Sequence, residues 1–78
     1  MPVHGVVAGT ITRWGPYFAF AQIDGDTSGR DVFIHPTRLR YEYEYNLLAP
    51  GTSVRFAVAR NETLCPGKLI AMDVIKID

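Results

Sequence analysis

Two short runs carry flat π side chains at two-residue spacing: Phe18 and Phe20 in YFAFAQI, and Phe33 and His35 in DVFIH. On a strand, residues two apart share a face. Val32 and Ile34 then lie opposite Phe33 and His35, and Ala19 and Ala21 lie opposite Phe18 and Phe20. If the runs pair as a hairpin, the three phenylalanines and the histidine form one patch. Rings on an open sheet face offer a stacking surface for unpaired bases, because every base has a π-face. A one-residue change of register would turn the rings into the core. It would also expel Val32 and Ile34 from that core. His35 has a second reading, as a hydrogen-bonded structural histidine.

Other chemistry is poorly supported. Asp31 shares a strand face with His35 but lies four residues away, ~13 Å along a strand. That is too far for a hydrogen bond. There is no nucleophile paired with a base and no glycine loop for phosphate. His4, His35 and Cys65 lack metal-ligand spacing. The sequence predicts a protein that is not an enzyme, with no metal and no small-molecule cofactor.

The elements that must position the rings follow from a period of two, β-branched residues and turn clusters about every ten residues, the pattern of an all-β sandwich or barrel. Strands are predicted at Val6–Trp14, Tyr17–Ile23, Asp31–His35, Ser53–Ala59 and Lys68–Ile77. The segment Asp24–Gly29 forms a turn cluster. Pro36 ends the third strand, since it cannot donate to a ladder, and Pro36–Leu39 is expected to form one helical turn. Residues 40–51 make a long connection and Asn61–Gly67 a loop. Val54, Phe56 and Val58 are expected on one face of the fourth strand, and Ile70, Met72 and Val74 on one face of the fifth. In YEYEY, alternation separates Tyr41, Tyr43 and Tyr45 from Glu42 and Glu44. The run reads as a solvated loop that packs one or two rings on the barrel; the sharper alternative adds a stacking ring at the rim.

Seventy-eight residues make a single domain, 1–78, and a chain of this size buries only ~60% of its unfolded surface. The single cysteine, Cys65, excludes an internal disulfide and suits a reducing compartment. The start MPVHGVVAGT lacks the pattern of a signal peptide, and no apolar run approaches the ~20 residues of a membrane span. A cytoplasmic monomer or weak dimer, with no membrane association, is expected. Eight basic and eight acidic residues cancel, so strong whole-molecule attraction to a polyanion is not expected. Arg13, Arg30, Arg38 and Lys68 are the candidate phosphate partners.

FAFA followed by DVFIH resembles the two ribonucleoprotein motifs of cold-shock domains. In that family the first motif reads roughly Lys-Gly-Phe-Gly-Phe-Ile and the second Val-Phe-Val-His-Phe. GTITRW is similar to the family's first strand, LLAPGTSVRFAV to its fourth and PGKLIAMDV to its last, so the resemblance covers most of the chain. It implies a five-stranded antiparallel Greek-key barrel of the OB-fold type. It also implies binding of single-stranded RNA or DNA, with loose specificity favouring pyrimidine runs, and a role as an RNA chaperone or regulator of transcription or translation.

By position, Phe18 and Phe20 match the stacking phenylalanines of the first motif, and Phe33 and His35 match the stacking pair of the second. Trp14 falls at or beside the first-strand aromatic pair, with Arg13 its neighbour. Lys68 is close to a basic or polar contact, and one of Tyr41, Tyr43 and Tyr45 replaces an aromatic of the long loop. Tyr17 and Ala19 stand where the family has glycines, Pro16 where it has lysine, and Pro36 where it has an aromatic. The binding set implied is Arg13, Trp14, Tyr17, Phe18, Phe20, Phe33, His35, Arg38 and Lys68. The competing expectation is a protein-interaction module that keeps the barrel and offers its apolar face to a partner.

Overall fold

The computed structural model describes residues 3–61 and 68–77. The strands are β1 (Val3–Trp14), β2 (Ala19–Ile23), β3 (Val32–Ile34), β4 (Ser53–Asn61) and β5 (Lys68–Lys76), with 3-10 segments at Pro36–Arg38 and Glu42–Leu47. Asn61 belongs to β4, and the rest of the loop expected at Asn61–Gly67 lies outside the described residues. The strands close into a barrel in the order β1-β2-β3-β5-β4, the all-β five-stranded, OB-fold-like architecture. One expectation needs correction. The barrel is not antiparallel throughout, because β3 runs parallel to β5, with Val32 opposite Leu69 and Phe33 opposite Ile70. A closed ring with an odd number of strands cannot alternate direction at every seam.

The period-two pattern decides what faces inward. Ala19, Ala21, Val32, Ile34, Val54, Phe56 and Val58 are all buried, as the alternation requires. β1 serves both sides of the barrel, pairing with β4 through its first half and β2 through its second, and Gly9 belongs to both ladders. A Cβ on Gly9 would sit 2.8 Å from the Gln22 carbonyl oxygen and 2.8 Å from Cε1 of Phe56. The glycine therefore lets a coiled strand pass close to its neighbour and to the largest fully buried side chain.

The fifth strand departs from its expected face. Leu69 and Ala71 point inward, while Ile70 and Met72 are half-buried. Val74 rejoins the core because the pairing with β4 shifts register between Arg55 and Ala57. Asp73 takes up the irregularity with φ 53°, a left-handed conformation that aspartate tolerates better than most residues. The Asp73 carboxylate accepts from Arg40, with Nε at 2.9 Å from Oδ1, and the Arg40 amide donates to the Val74 carbonyl at 3.0 Å. The connection after β3 is thereby pinned to the bulge.

That connection closes one end of the barrel. The expected helical turn is present as the 3-10 segment Pro36–Arg38. The YEYEY run is a second 3-10 segment rather than an extended alternation. Its period of about three puts Tyr45 and Leu48 on one side. Both are buried with Leu39 against the barrel core, while Tyr41 and Tyr43 stay exposed. Glu44 reaches β5, where its carboxylate accepts from the Lys76 amide at 3.1 Å.

Candidate nucleic-acid interface

The outer face of β2 and β3 carries the rings. Phe20 and Phe33 are direct cross-strand partners, with centroids 5.9 Å apart in an edge-to-face arrangement. Phe18, just before β2, stacks on Phe33 at 5.9 Å and 27° and meets Phe20 edge-on at 5.4 Å. His35 continues the row 6.4 Å from Phe33. Beneath them Ala19 and Ala21 are fully buried, whereas Phe18 is 41% exposed. Small residues inside and large rings outside invert the usual economy of a core. The inversion leaves a row of rings on the outer face, with Phe18 and His35 exposed and Phe20 and Phe33 half-exposed.

His35 is a hydrogen-bonded histidine, the second reading offered by the sequence, and its ring also lies in the aromatic row. Its Nδ1 accepts from the Thr37 amide at 3.2 Å, capping the 3-10 turn, and lies 2.8 Å from the Thr37 hydroxyl. A backbone N–H can only donate, so Nδ1 is the acceptor and the neutral ring carries its proton on Nε2. The cap fixes the ring plane, and the exposed ring remains in the row beside Phe33.

Cations flank the rings. A shallow cleft of about 460 Å³ is lined by Arg13, Phe20, Arg30, Asp31, Phe33 and Lys68. A second, of about 270 Å³, is lined by Phe33, His35, Thr37, Arg38 and Ile70 among others. Phe33 is common to both and forms the ridge between them. Arg30 is held in its loop by the Ser28 hydroxyl at 3.0 Å and by Asp26, 3.6 Å away. The Ser28 amide and hydroxyl, with Arg30 behind them, hold the Asp26 carboxyl below the usual carboxylate range. Asp31 adds an acceptor to a rim otherwise made of donors, so the first cleft can engage both phosphate oxygens and base amino groups.

A bulge in β1 sorts Arg13 from Trp14. The β1–β2 register shifts between Ile11 and Arg13, so that Arg13 faces Phe20 and Trp14 faces Ala19. Arg13 joins the outer face. Trp14 takes the side of the buried alanine, against the plug at the barrel end. Its indole N–H donates to the Tyr45 carbonyl at 2.9 Å, and the two rings lie 5.8 Å apart. Trp14 keeps 39% of its surface exposed but makes no ring pair with the phenylalanine cluster. Tyr17, at the tip of the turn before Phe18, is 79% exposed. Arg13, Phe18, Phe20, Phe33, His35, Arg38 and Lys68 thus converge on one surface, Tyr17 borders it, and Trp14 lies behind it.

Asp31, Thr37 and Ile70, which lie outside the binding set expected from the sequence, also line the clefts. Ile70 arrives through the parallel β3–β5 seam, a pairing across 37 residues of chain with no local signal. Asp31 was legible: it sits two residues before Phe33 on the same strand face. Among the described residues, no group of three His, Cys, Asp or Glu side chains could hold a metal ion, and no helix is long and apolar enough to cross a membrane. No protein-family model matches the chain, and no curated protein matches it in sequence.

Proposed function

We propose that this protein binds single-stranded RNA or DNA by stacking bases on the Phe18–Phe20–Phe33–His35 face, in the manner of the cold-shock domains whose motifs it resembles. One observation carries the reading: a row of exposed and half-exposed rings on the outer face, above buried Ala19, Ala21, Val32 and Ile34, with Arg13, Arg30 and Lys68 on one side and Arg38 on the other. Such a face captures bases only when they are unpaired, because a duplex hides their π-faces. The chain then acts as an RNA chaperone or as a regulator of transcription or translation, holding strands open with no cofactor and no chemical step. The lone thiol supports a cytoplasmic setting, and the closure of the strands into a barrel supports a monomer or weak dimer.

The test is a titration of labelled oligothymidylate and oligouridylate of about eight nucleotides, alongside the corresponding duplex. Binding of the single strands with little binding of the duplex is the expected result. No binding at any salt concentration overturns the reading and leaves the apolar face to a protein partner.

A further inference from the structure

Tyr45 grips the turn that carries the outermost ring of the platform from both sides. It is buried at 5% exposure in the plug of the barrel. Its hydroxyl donates to the Gly15 carbonyl, and its own carbonyl accepts the indole N–H of Trp14 at 2.9 Å. Burial pushes the Tyr45 phenol above its ordinary value, which keeps it a donor. Gly15 in turn donates its amide to the Phe18 carbonyl at 2.9 Å, and the turn is tight enough that a Cβ on Gly15 would lie 3.3 Å from that same oxygen. Phe18 is outside the β2 ladder, whose pairs begin at Ala19, while Pro16 and Tyr17 are exposed. The tether reaches this turn from 30 residues away in the chain.

The geometry points to Tyr45 as the positioning residue of the stacking face: through Gly15 it sets the turn that lays Phe18 nearly parallel to Phe33. The inference rests on the proposed nucleic-acid reading of that face. Ring pairs depend on offset and tilt, so a turn free to rock presents a smeared surface to a base. The sequence gives no sign of this role, because the tyrosine and the glycine meet only when the plug closes the barrel.

The variant that tests it is Tyr45→Phe, which removes one hydroxyl and keeps the ring. Its affinity for a fluorescein-labelled oligothymidylate of about eight nucleotides is expected to fall about three- to tenfold, the yield of one net hydrogen bond. Exchange of the Gly15 amide, followed by NMR, is expected to quicken about tenfold as the turn opens locally. In a Phe18→Ala background the further loss of affinity should vanish, since coupled residues are not additive. A lowered Tm with unchanged Gly15 exchange and unchanged affinity overturns the assignment. So does an affinity loss that persists in full without the Phe18 ring. Should Tyr45→Phe not fold, Trp14→Phe removes the other half of the grip; faster Gly15 exchange supports the assignment and unchanged exchange overturns it. If the unaltered chain does not bind the oligomer, the nucleic-acid reading fails, while the exchange measurement still decides whether Tyr45 sets the turn.

Discussion

Phe33 is the residue on which the candidate interface turns. Phe18 stacks on it, Phe20 meets it edge-on and His35 lies beside it. Replacing an outward ring removes a stacking partner without opening a hole in the core. Phe18→Ala and Phe33→Ala should each cost ~1–3 kcal/mol of oligonucleotide affinity and leave the far-UV spectrum intact. Phe56, almost wholly buried, marks the contrast, since truncating a core phenylalanine costs ~3–5 kcal/mol of stability. Calorimetric melts paired with titrations separate the two classes. Melting of the Phe18 and Phe33 variants with affinity preserved would reverse the assignment of faces. Gly9 gives a second residue-level expectation. With a backbone oxygen at 2.8 Å from its absent Cβ, Gly9→Ala should destabilise by ~1–3 kcal/mol, and a Tm equal to the parent's would show that β1 has room to shift away from Gln22 and Phe56.

At the scale of elements, the bulge of β5 and the segment after the first 3-10 turn are joined by Arg40 and Asp73. The hydrogen bonds from Arg40, and behind them its charge, hold the Asp73 carboxyl below the usual carboxylate range, and the same pairing raises the Arg40 guanidinium. A carboxyl whose folded pKa is depressed contributes stability that is fully present above its unfolded value and is lost as pH falls through the folded one. Asp26 behaves in the same sense, through its bonds to Ser28. Tm should therefore drop on acidification below about pH 4. Asp73→Asn keeps a residue that tolerates φ 53° but removes the charge, so its Tm profile should be flatter over that acid range. Parallel profiles for variant and parent would mean that the pair contributes nothing at this exposed site, the common outcome for surface ion pairs.

For the whole molecule, zero net charge hides an uneven distribution. Several acids are engaged away from the rings: Asp73 with Arg40, Glu44 with the Lys76 amide, and Asp24 with the Thr10 hydroxyl at 2.8 Å. Arg13, Arg38 and Lys68 line the clefts on either side of Phe33. With two or three phosphates neutralised, the dependence of log K on log salt should have a slope of about −1.5 to −2 for a single strand. Stacking, insensitive to counterions, carries the rest. Titrations of one oligomer over a range of salt concentrations measure the slope. A much steeper slope, with duplex bound as well as single strand, would locate a charge-driven surface elsewhere on the barrel.

Alternation by itself determined most of what faces outward. Ala19 and Ala21 against Phe18 and Phe20, and Val32 and Ile34 against Phe33 and His35, are local facts about a pleated chain, and they specify the ring face once strands form. Glycine and proline clusters marked the strand ends for the same reason, since their backbone limits act within a residue or two. Where periodicity breaks, the sequence was silent. The β1 bulge that moves Arg13 to the outer face and Trp14 to the plug, and the Asp73 irregularity that brings Val74 rather than Met72 into the core, leave no composition signature. The parallel β3–β5 seam and the contact of Tyr45 with Gly15 join residues 37 and 30 positions apart. Such contacts exist only because the barrel closes. Closure is a property of the whole ring of strands, in which twist, stagger and strand number must agree, so no single segment can encode it.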